Sequence, residues 1–519
     1  MDLDIGWKTW QCIGLRASHR QPPGERPIKS EQLERENELL SREIERLRQE
    51  LIERDKKIAD AEKQIAELER KLALRRQNST TSSKPPSSDG LAGEQRPRGS
   101  RRKKARRKPG GQPGHRGHWR GLAPLSRVDQ VIEVFPPKCR HCDTRLSRRM
   151  STQGEPRRHQ VTELPPIEAH ITEYQCRCVV CPECGKATQA ELPPEAQGHF
   201  GPQLTALIAY LTVVCRMPRR MVRELLEQVL AIPLSLGSIQ NSWEEASEAV
   251  AEPCAELERQ LPQEPVVNSD ETGYRTSGEK RWLWALVTAN FVFYKIALTR
   301  GAEVLVELLG EVFAGILCSD RCASYLKYHK GEGQFCWAHF KRNILGLQEI
   351  GRATDAERFC RDALALHARL FRLWHRFRDG PGVRYGPIKR EQLIEKSIPL
   401  EKKFFALADR HLNSRDKDVA NLALALLQHF ERFFAFLRHE GVEPTNNVAE
   451  RALRCAVQWR KISFGSRSAQ GEVAVARLLT VTRTCRMQHR APLVYLVTAI
   501  RSHRNALPVT SLLKTASTT

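Results

Sequence analysis

Pro265-Val-Val-Asn-Ser-Asp270 and Ala314-Gly-Ile-Leu-Cys-Ser319-Asp320 are the two stretches on which the fold turns. Each reads as a short buried strand that runs into an acid. Between them, Lys280 to Thr288 and Phe291 to Leu298 are β-type runs separated by Ala289-Asn290, a hairpin signal. Ala302, Leu305, Leu308, Leu309 and Val312 then follow helical spacing. The order is strand-Asp, strand, strand, helix, strand-Asp. A strand–helix–strand crossover sets its two strands parallel in one sheet. As neighbours, they would bring Asp270 and Asp320 side by side at their carboxyl ends, the edge where ligand sites of such sheets gather.

Two carboxylates held that close repel unless a cation lies between them, and hard oxygen ligands suit Mg²⁺ or Mn²⁺. A third acid would allow two ions to bind, one activating a water or 3′-hydroxyl and the other stabilising the leaving oxygen of a phosphodiester. Glu450 is the best candidate, in Pro444-Thr-Asn-Asn-Val-Ala-Glu450-Arg-Ala-Leu-Arg454. Thr445 or Asn446 can cap a helix there. On that helix Ala449, Leu453 and Ala456 form an apolar face, and Asn446, Asn447, Glu450 and Arg454 a polar stripe. Each piece alone is weak: an acid after a strand is commonly a turn residue, and Glu450 could pair with Arg454. Glu271 also competes with Asp270, because a strand alternates faces and only one of the two can point into the site.

Outward from this block, the 519-residue chain carries 84 Lys and Arg against 61 Asp and Glu, a net charge of +23. Such an excess implies a polyanionic partner, above all nucleic acid. The longest apolar stretch, Ala206 to Cys215, is too short to span a bilayer, which takes about 18–20 residues. Residues 1–29 are an unassigned tail without the pattern of a secretory leader. Fifteen cysteines, an odd count, favour thiols and metal ligands in a reducing compartment, so a cytoplasmic location is expected.

Residues 30–76 read as a parallel, leucine-zipper-like coiled coil. Steps of seven give Asn37, Ile44, Leu51, Ile58, Ile65 and Leu72, and the d positions include Leu33, Leu40, Leu47 and Leu68. Arg54 and Ala61 weaken the middle of the seam, and Asn37 would favour two strands in register. A homodimer or higher oligomer follows. Residues 77–124 hold a Ser/Pro-rich linker and a basic arm, with eleven Lys or Arg and no acid from Gln95 to Arg120. Arg101, Arg102, Lys103, Lys104, Arg106, Arg107 and Lys108 are its densest run, suited to DNA phosphates.

Residues 125–195 form a cysteine module. Cys139-Arg-His-Cys142 and Cys181-Pro-Glu-Cys184-Gly185, about 40 residues apart, would supply four thiolates to one structural Zn²⁺. Cys178-x-x-Cys181 is a competing pair. The Pro and Gly of the later pair fit a knuckle turn, leaving Cys176 and Cys178 as spare thiols. Residues 196–260 are helical and break at Ile232-Pro233, with Ser235 or Ser238 capping the next helix: a helix-turn-helix or plain packing. The 129 residues between Asp320 and Glu450 exceed what a crossover needs, so the catalytic region, 261–470, takes a helical insertion at about 335–440. A C-terminal helical segment, 471–519, follows. Cys336-x-x-His339 looks like half a zinc site without a local partner pair and is set aside. Arg460, Lys461 and Arg467 are candidate backbone contacts, on a par with solvated surface.

Taken in order, NSTTSSKPPSSD, KPGGQPGHRGH, CPECGK, VVNSDETG, WLWALVT, LTRGAEV, LCSDRCASY, CWAHFKR, EPTNNVAERALR and WRKISFGS span most of residues 33–500. In these segments the chain resembles transposases of the insertion sequence 66 family, DDE enzymes with an α/β ribonuclease-H-like core. The resemblance implies that Asp270, Asp320 and Glu450 are the acidic triad, which removes the competition from Glu271. It also supports Cys139, Cys142, Cys181 and Cys184 as zinc ligands. Asp320 is followed by Arg-Cys where many relatives have Gly-Tyr, while Tyr325 stands in the matching later position. His339 and Asn447 are candidate auxiliary residues, His339 either orienting phosphate or carboxylate or simply buried. The expected partners are DNA, both transposon ends and target, and accessory proteins of the same element. A DNA-binding regulator lacking catalysis is the alternative, and a purely hydrolytic nuclease a third.

Overall fold

From Leu33 to Leu74 no Gly or Pro interrupts the helical pattern, and the chain forms one helix, α1 (Ile28–Arg76). The computed structural model describes residues 28–76, 115, 121–165, 167–193, 196, 198–350, 354–378 and 386–513. They divide between two compact units, Met1–Gln77 and Asn78–Thr519. In the first unit, α1 is laced by spaced ion pairs such as Glu38–Arg42 and Glu53–Lys57. Its heptad residues Ile44, Leu47, Leu51, Ile58, Ile65, Leu68 and Leu72 are exposed on the single chain. The basic arm, including Arg101 to Lys108, lies outside the described residues.

The second unit opens with irregular chain and a small antiparallel hairpin, β1 (Cys178–Val180) and β2 (Ala187–Gln189). Helices α2 (Pro202–Val213), α3 (Arg219–Leu230), α4 (Leu236–Ala249) and α5 (Ala251–Gln260) follow. Helix α3 stops where Ala231 turns left-handed at φ 52°. Pro233 bars continuation, and Ser235 caps α4 by accepting the Ser238 N–H at 3.0 Å. Ile208, Val222, Leu226, Leu234 and Ile239 form a small core among α2, α3 and α4.

Next come β3 (Val266–Thr276), β4 (Glu279–Val287) and β5 (Val292–Ala297), a meander of antiparallel strands. Helix α6 (Ala302–Leu309) crosses over to β6 (Ile316–Ser319). Helix α7 (Ala323–Tyr328) leads to β7 (Gly333–Phe335). The five strands lie in the order β5-β4-β3-β6-β7, with β6 parallel to β3 and β7 parallel to β6. The expected parallel neighbours are therefore present. One boundary differs: β3 does not end at Asp270. It loses β6 after Asn268 but goes on to Thr276 because β4 pairs with it along that whole length, from Asn268–Val287 to Thr276–Glu279.

Five helices occupy the stretch before Glu450: α8 (Trp337–Ile350), α9 (Thr354–Arg378), α10 (Arg390–Arg410), α11 (Lys417–Gln428) and α12 (Phe430–Arg438). They enclose their own core, in which the Trp337 ring meets Phe340, Phe404, Phe433 and Phe434 at 5.1–5.5 Å between centroids. Helices α13 (Asn447–Ser463), α14 (Ala469–Met487) and α15 (Pro492–Arg504) complete the chain. They share one core with the sheet and with α2, α4 and α5. The outer edge of β5 is closed by α14. Buried Thr480 accepts the Tyr294 N–H at 3.0 Å, and buried Thr484 both accepts from the Val292 N–H and donates to its carbonyl at 3.1 Å. No described helix is long and apolar enough to cross a membrane.

Candidate active site

Asp270 and Asp320 each stand two residues past the Asn268–Cys318 pair of the parallel register, so the sheet sets them at one level. Asp320 follows β6 and its Oδ1 accepts the Cys322 N–H at 2.8 Å, which fixes the turn into α7. Glu450 lies in the first turn of α13, where the N-terminal end of a helix favours an acid. Asn446 occupies the cap position but does not cap. Its Nδ2 donates to the Ser269 carbonyl at 2.7 Å and ties the start of α13 to β3 beside Asp270. Ala449, Leu453 and Ala456 are buried, as their apolar face requires.

The Asp270 carboxyl is pushed well above the usual carboxylate range, first by desolvation, then by the like charges of Glu271, Glu450 and Asp320. Glu271 points elsewhere. Its side chain is buried, pairs with Arg300 Nε at 2.5 Å and accepts from the Tyr325 hydroxyl. Burial raises its carboxyl too, against the opposing pull of Tyr325 and Arg300. The strand's alternation thus separates the neighbours into two environments.

Glu450 Oε1 is 3.0 Å from Arg342 Nη2 and 3.6 Å from His339 Nδ1. Arg342 also donates to His339 Nε2 at 3.0 Å. A guanidinium has only donors, so that ring nitrogen carries a lone pair and the neutral ring has its proton on Nδ1. Desolvation and Arg342 lower the His339 pKa, consistent with a neutral ring. Nδ1 is buried without a hydrogen bond. Among the described residues, Cys336, His339 and Glu450 are a group whose ligand atoms all lie within 4.8 Å of one another; the three carboxylates are not such a group. Cys336 Sγ accepts the Asn446 N–H at 3.2 Å, and burial pushes its thiol up to about 11. The Cys336-x-x-His339 pair does have a third potential ligand, but it arrives from a helix more than 100 residues later. Arg342, the counter-ion of Glu450, was missed in the sequence. Its spacing three residues after His339 on α8 was the available signal.

The sequence profile of the transposase IS66 family matches residues 197–474, more than half the chain, and takes in all three carboxylates. The chain belongs to the IS66 transposase family. A profile of a family of unknown function (DUF6444) matches residues 20–121. Two relatives come from Sinorhizobium fredii (strain NBRC 101917 / NGR234). The uncharacterized protein y4qI is 27% identical over 260 residues, 44% of this chain and 46% of the relative. The uncharacterized protein y4hP is 25% identical over 414 residues, 72% of this chain and 71% of the relative. The match to y4qI thus spans less than half of that relative's length.

Outside the IS66-matched region, each predicted zinc pair sits on its own turn. The Asp143 N–H bonds to the Cys139 carbonyl at 3.1 Å, and the Gly185 N–H to the Cys181 carbonyl at 2.9 Å. Gly185 takes the left-handed φ of 69° that such a turn needs. The Cys142 thiol is lowered by Thr144 and Cys139, and the Cys181 thiol by Cys184 and Glu183. The two pairs are not brought within 4.8 Å as one set of ligands. Arg454 and Lys461 are exposed on α13, Asn447 is half-buried at its start, and half-buried Arg460 reaches Thr272 Oγ1 at 3.5 Å.

Proposed function

We propose that this IS66 family member is a DNA transposase that cuts and joins the ends of its own element, using Asp270, Asp320 and Glu450 on a ribonuclease-H-like sheet. One observation carries the reading: the parallel register sets Asp270 and Asp320 at one level, and Asn446 ties the start of the Glu450 helix to β3 beside them. Such a set favours a divalent cation, and the all-oxygen donors suit Mg²⁺ or Mn²⁺. Asp270, Asp320 and Glu450 would hold it. When bound, the ion supplies charge neutralisation and activation of a water or 3′-hydroxyl for attack on phosphorus.

The rest falls to the chain itself. Asn446 holds α13 against β3, so Glu450 keeps its place relative to Asp270. Arg342 holds the Glu450 side chain by its ion pair at 3.0 Å, and His339 packs beside it. The basic arm, with Arg454, Arg460 and Lys461, offers charge to the phosphate backbone, while Asn447 lies one turn before Glu450. Cutting and joining are both phosphoryl transfers without a covalent protein intermediate, so positioning and electrostatics dominate. The cysteine pairs would close on one Zn²⁺, and α1 would pair subunits so that two DNA ends are handled together. The reaction would take place in the bacterial cytoplasm, on the nucleoid, with accessory proteins of the element as further partners.

The test is a strand-transfer assay on DNA that carries terminal inverted repeats of an IS66 family element. Asp270→Asn, Asp320→Asn and Glu450→Gln should each lower joining by about 10²-fold or more while leaving end binding intact. A variant as active as the wild type would remove that residue from the triad. Binding without cutting by the wild type would point to a regulator, and cutting without joining to a nuclease. Zinc bound at one ion per chain, and lost in Cys142→Ser, would support the thiolate site.

A further inference from the structure

Farther along β3 from Asp270 lies a cavity of about 360 Å³ lined by Gly273, Tyr274, Arg275, Lys280, Arg460 and Phe464. Gly273 is three residues from Asp270 on β3, about 10 Å at ~3.3 Å per residue. Phe464 ends α13 in a left-handed conformation, φ 61°, and its residue surface is 86% exposed. Its segment is pinned to the β3–β4 hairpin. The Ser466 N–H bonds to the Arg275 carbonyl at 3.0 Å, the Ser277 N–H to the Ser466 carbonyl at 2.9 Å, and the Tyr274 hydroxyl meets Ser466 Oγ at 2.8 Å. Gly465, at φ 101°, lets the strands approach, since a Cβ there would lie 2.1 Å from the Arg275 carbonyl oxygen. The aromatic ring is therefore presented by a braced turn.

Among the described residues, the cations around it have no acidic partner. Arg275 donates to the Gly278 carbonyl, Lys280 lies over the Trp282 ring at 5.0 Å, and Arg460 reaches Thr272 Oγ1. The nearby acids Glu279 and Glu472 are taken by Arg281. An exposed ring among uncompensated cations matches the two faces of single-stranded nucleic acid, bases that stack and phosphates that are anionic.

We propose that this cavity takes one unstacked nucleotide of the DNA strand being processed, its base on Phe464 and its phosphates among Arg275, Lys280 and Arg460. The inference rests on the DNA-processing reading and assigns that substrate a second point of grip.

The test is fluorescence anisotropy in magnesium-free buffer with the full chain, so that cleavage plays no part. A labelled blunt duplex is compared with the same duplex carrying a short single-stranded overhang. The wild type should prefer the overhang by about tenfold, within the range that stacking of one base supplies. Phe464→Ala should erase the preference without weakening blunt binding, and Phe464→Trp should keep it. Lys280→Gln and Arg460→Gln should each reduce the salt slope by about 1. A wild type without preference, or a Phe464→Ala protein that retains it, would overturn the assignment. Failed strand transfer with the preference intact would overturn only the catalytic reading.

Discussion

Adjacent in sequence, Asp270 and Glu271 face different partners. Glu271 has Arg300 and Tyr325, while Asp270 has other acids nearby and accepts the Glu271 N–H at 3.0 Å. An acid whose folded pKa stands above its unfolded one binds more protons in the native state. Its contribution is full at low pH and is lost as pH rises through the folded value. The metal-free protein should therefore lose thermal stability as pH rises above the ordinary aspartate range, and Asp270→Asn should lose less. Added Mg²⁺ should narrow the difference, as read by thermal unfolding. Arg342 makes a second prediction. Its pair with Glu450 is partly exposed and worth about 1 kcal/mol or less, so Arg342→Ala should lower the half-saturating Mg²⁺ concentration by about fivefold or less in calorimetric titration. The two aspartates could be read because local strand patterns precede them. That Cys336, His339 and Glu450 converge could not, since Glu450 is brought there by the whole helical stretch between.

At the scale of elements, the exposed edge of the sheet is protected by two threonines one turn apart on α14. Thr484→Val keeps the shape but leaves the Val292 N–H and carbonyl unpaired in a buried place. It should cost about 1–3 kcal/mol in urea unfolding, whereas Thr498→Val, on an exposed side chain, should be near neutral. Nothing in the local sequence identifies Thr480 and Thr484 as edge caps, because the strand they serve lies nearly 190 residues earlier. The strands themselves were legible, apart from the far end of β3. There the continued pairing with β4 outlasts the hydrophobic run that announced the strand. Helix α1 shows the reverse case: its pattern is plain, and its apolar seam finds no cover on one chain. If two chains supply that cover, Leu47→Asp with Leu51→Asp should shift the sedimenting species to the monomer.

For the whole molecule, the +23 charge is a statement about salt. Each phosphate contact contributes about −0.9 to the slope of log affinity against log salt. Deleting residues 95–120 removes eleven Lys and Arg, and should flatten the slope by about 4 or more if at least five of them lie on phosphates. The helical stretch between Asp320 and Glu450 has a further consequence. The N–H of Trp337, where it begins, bonds to the carbonyl of Pro444, where it returns, at 2.9 Å. A segment whose ends meet can change length or content without moving its flanks. The helices after α8 could therefore be exchanged as a cassette while His339 and Arg342 stay beside Glu450.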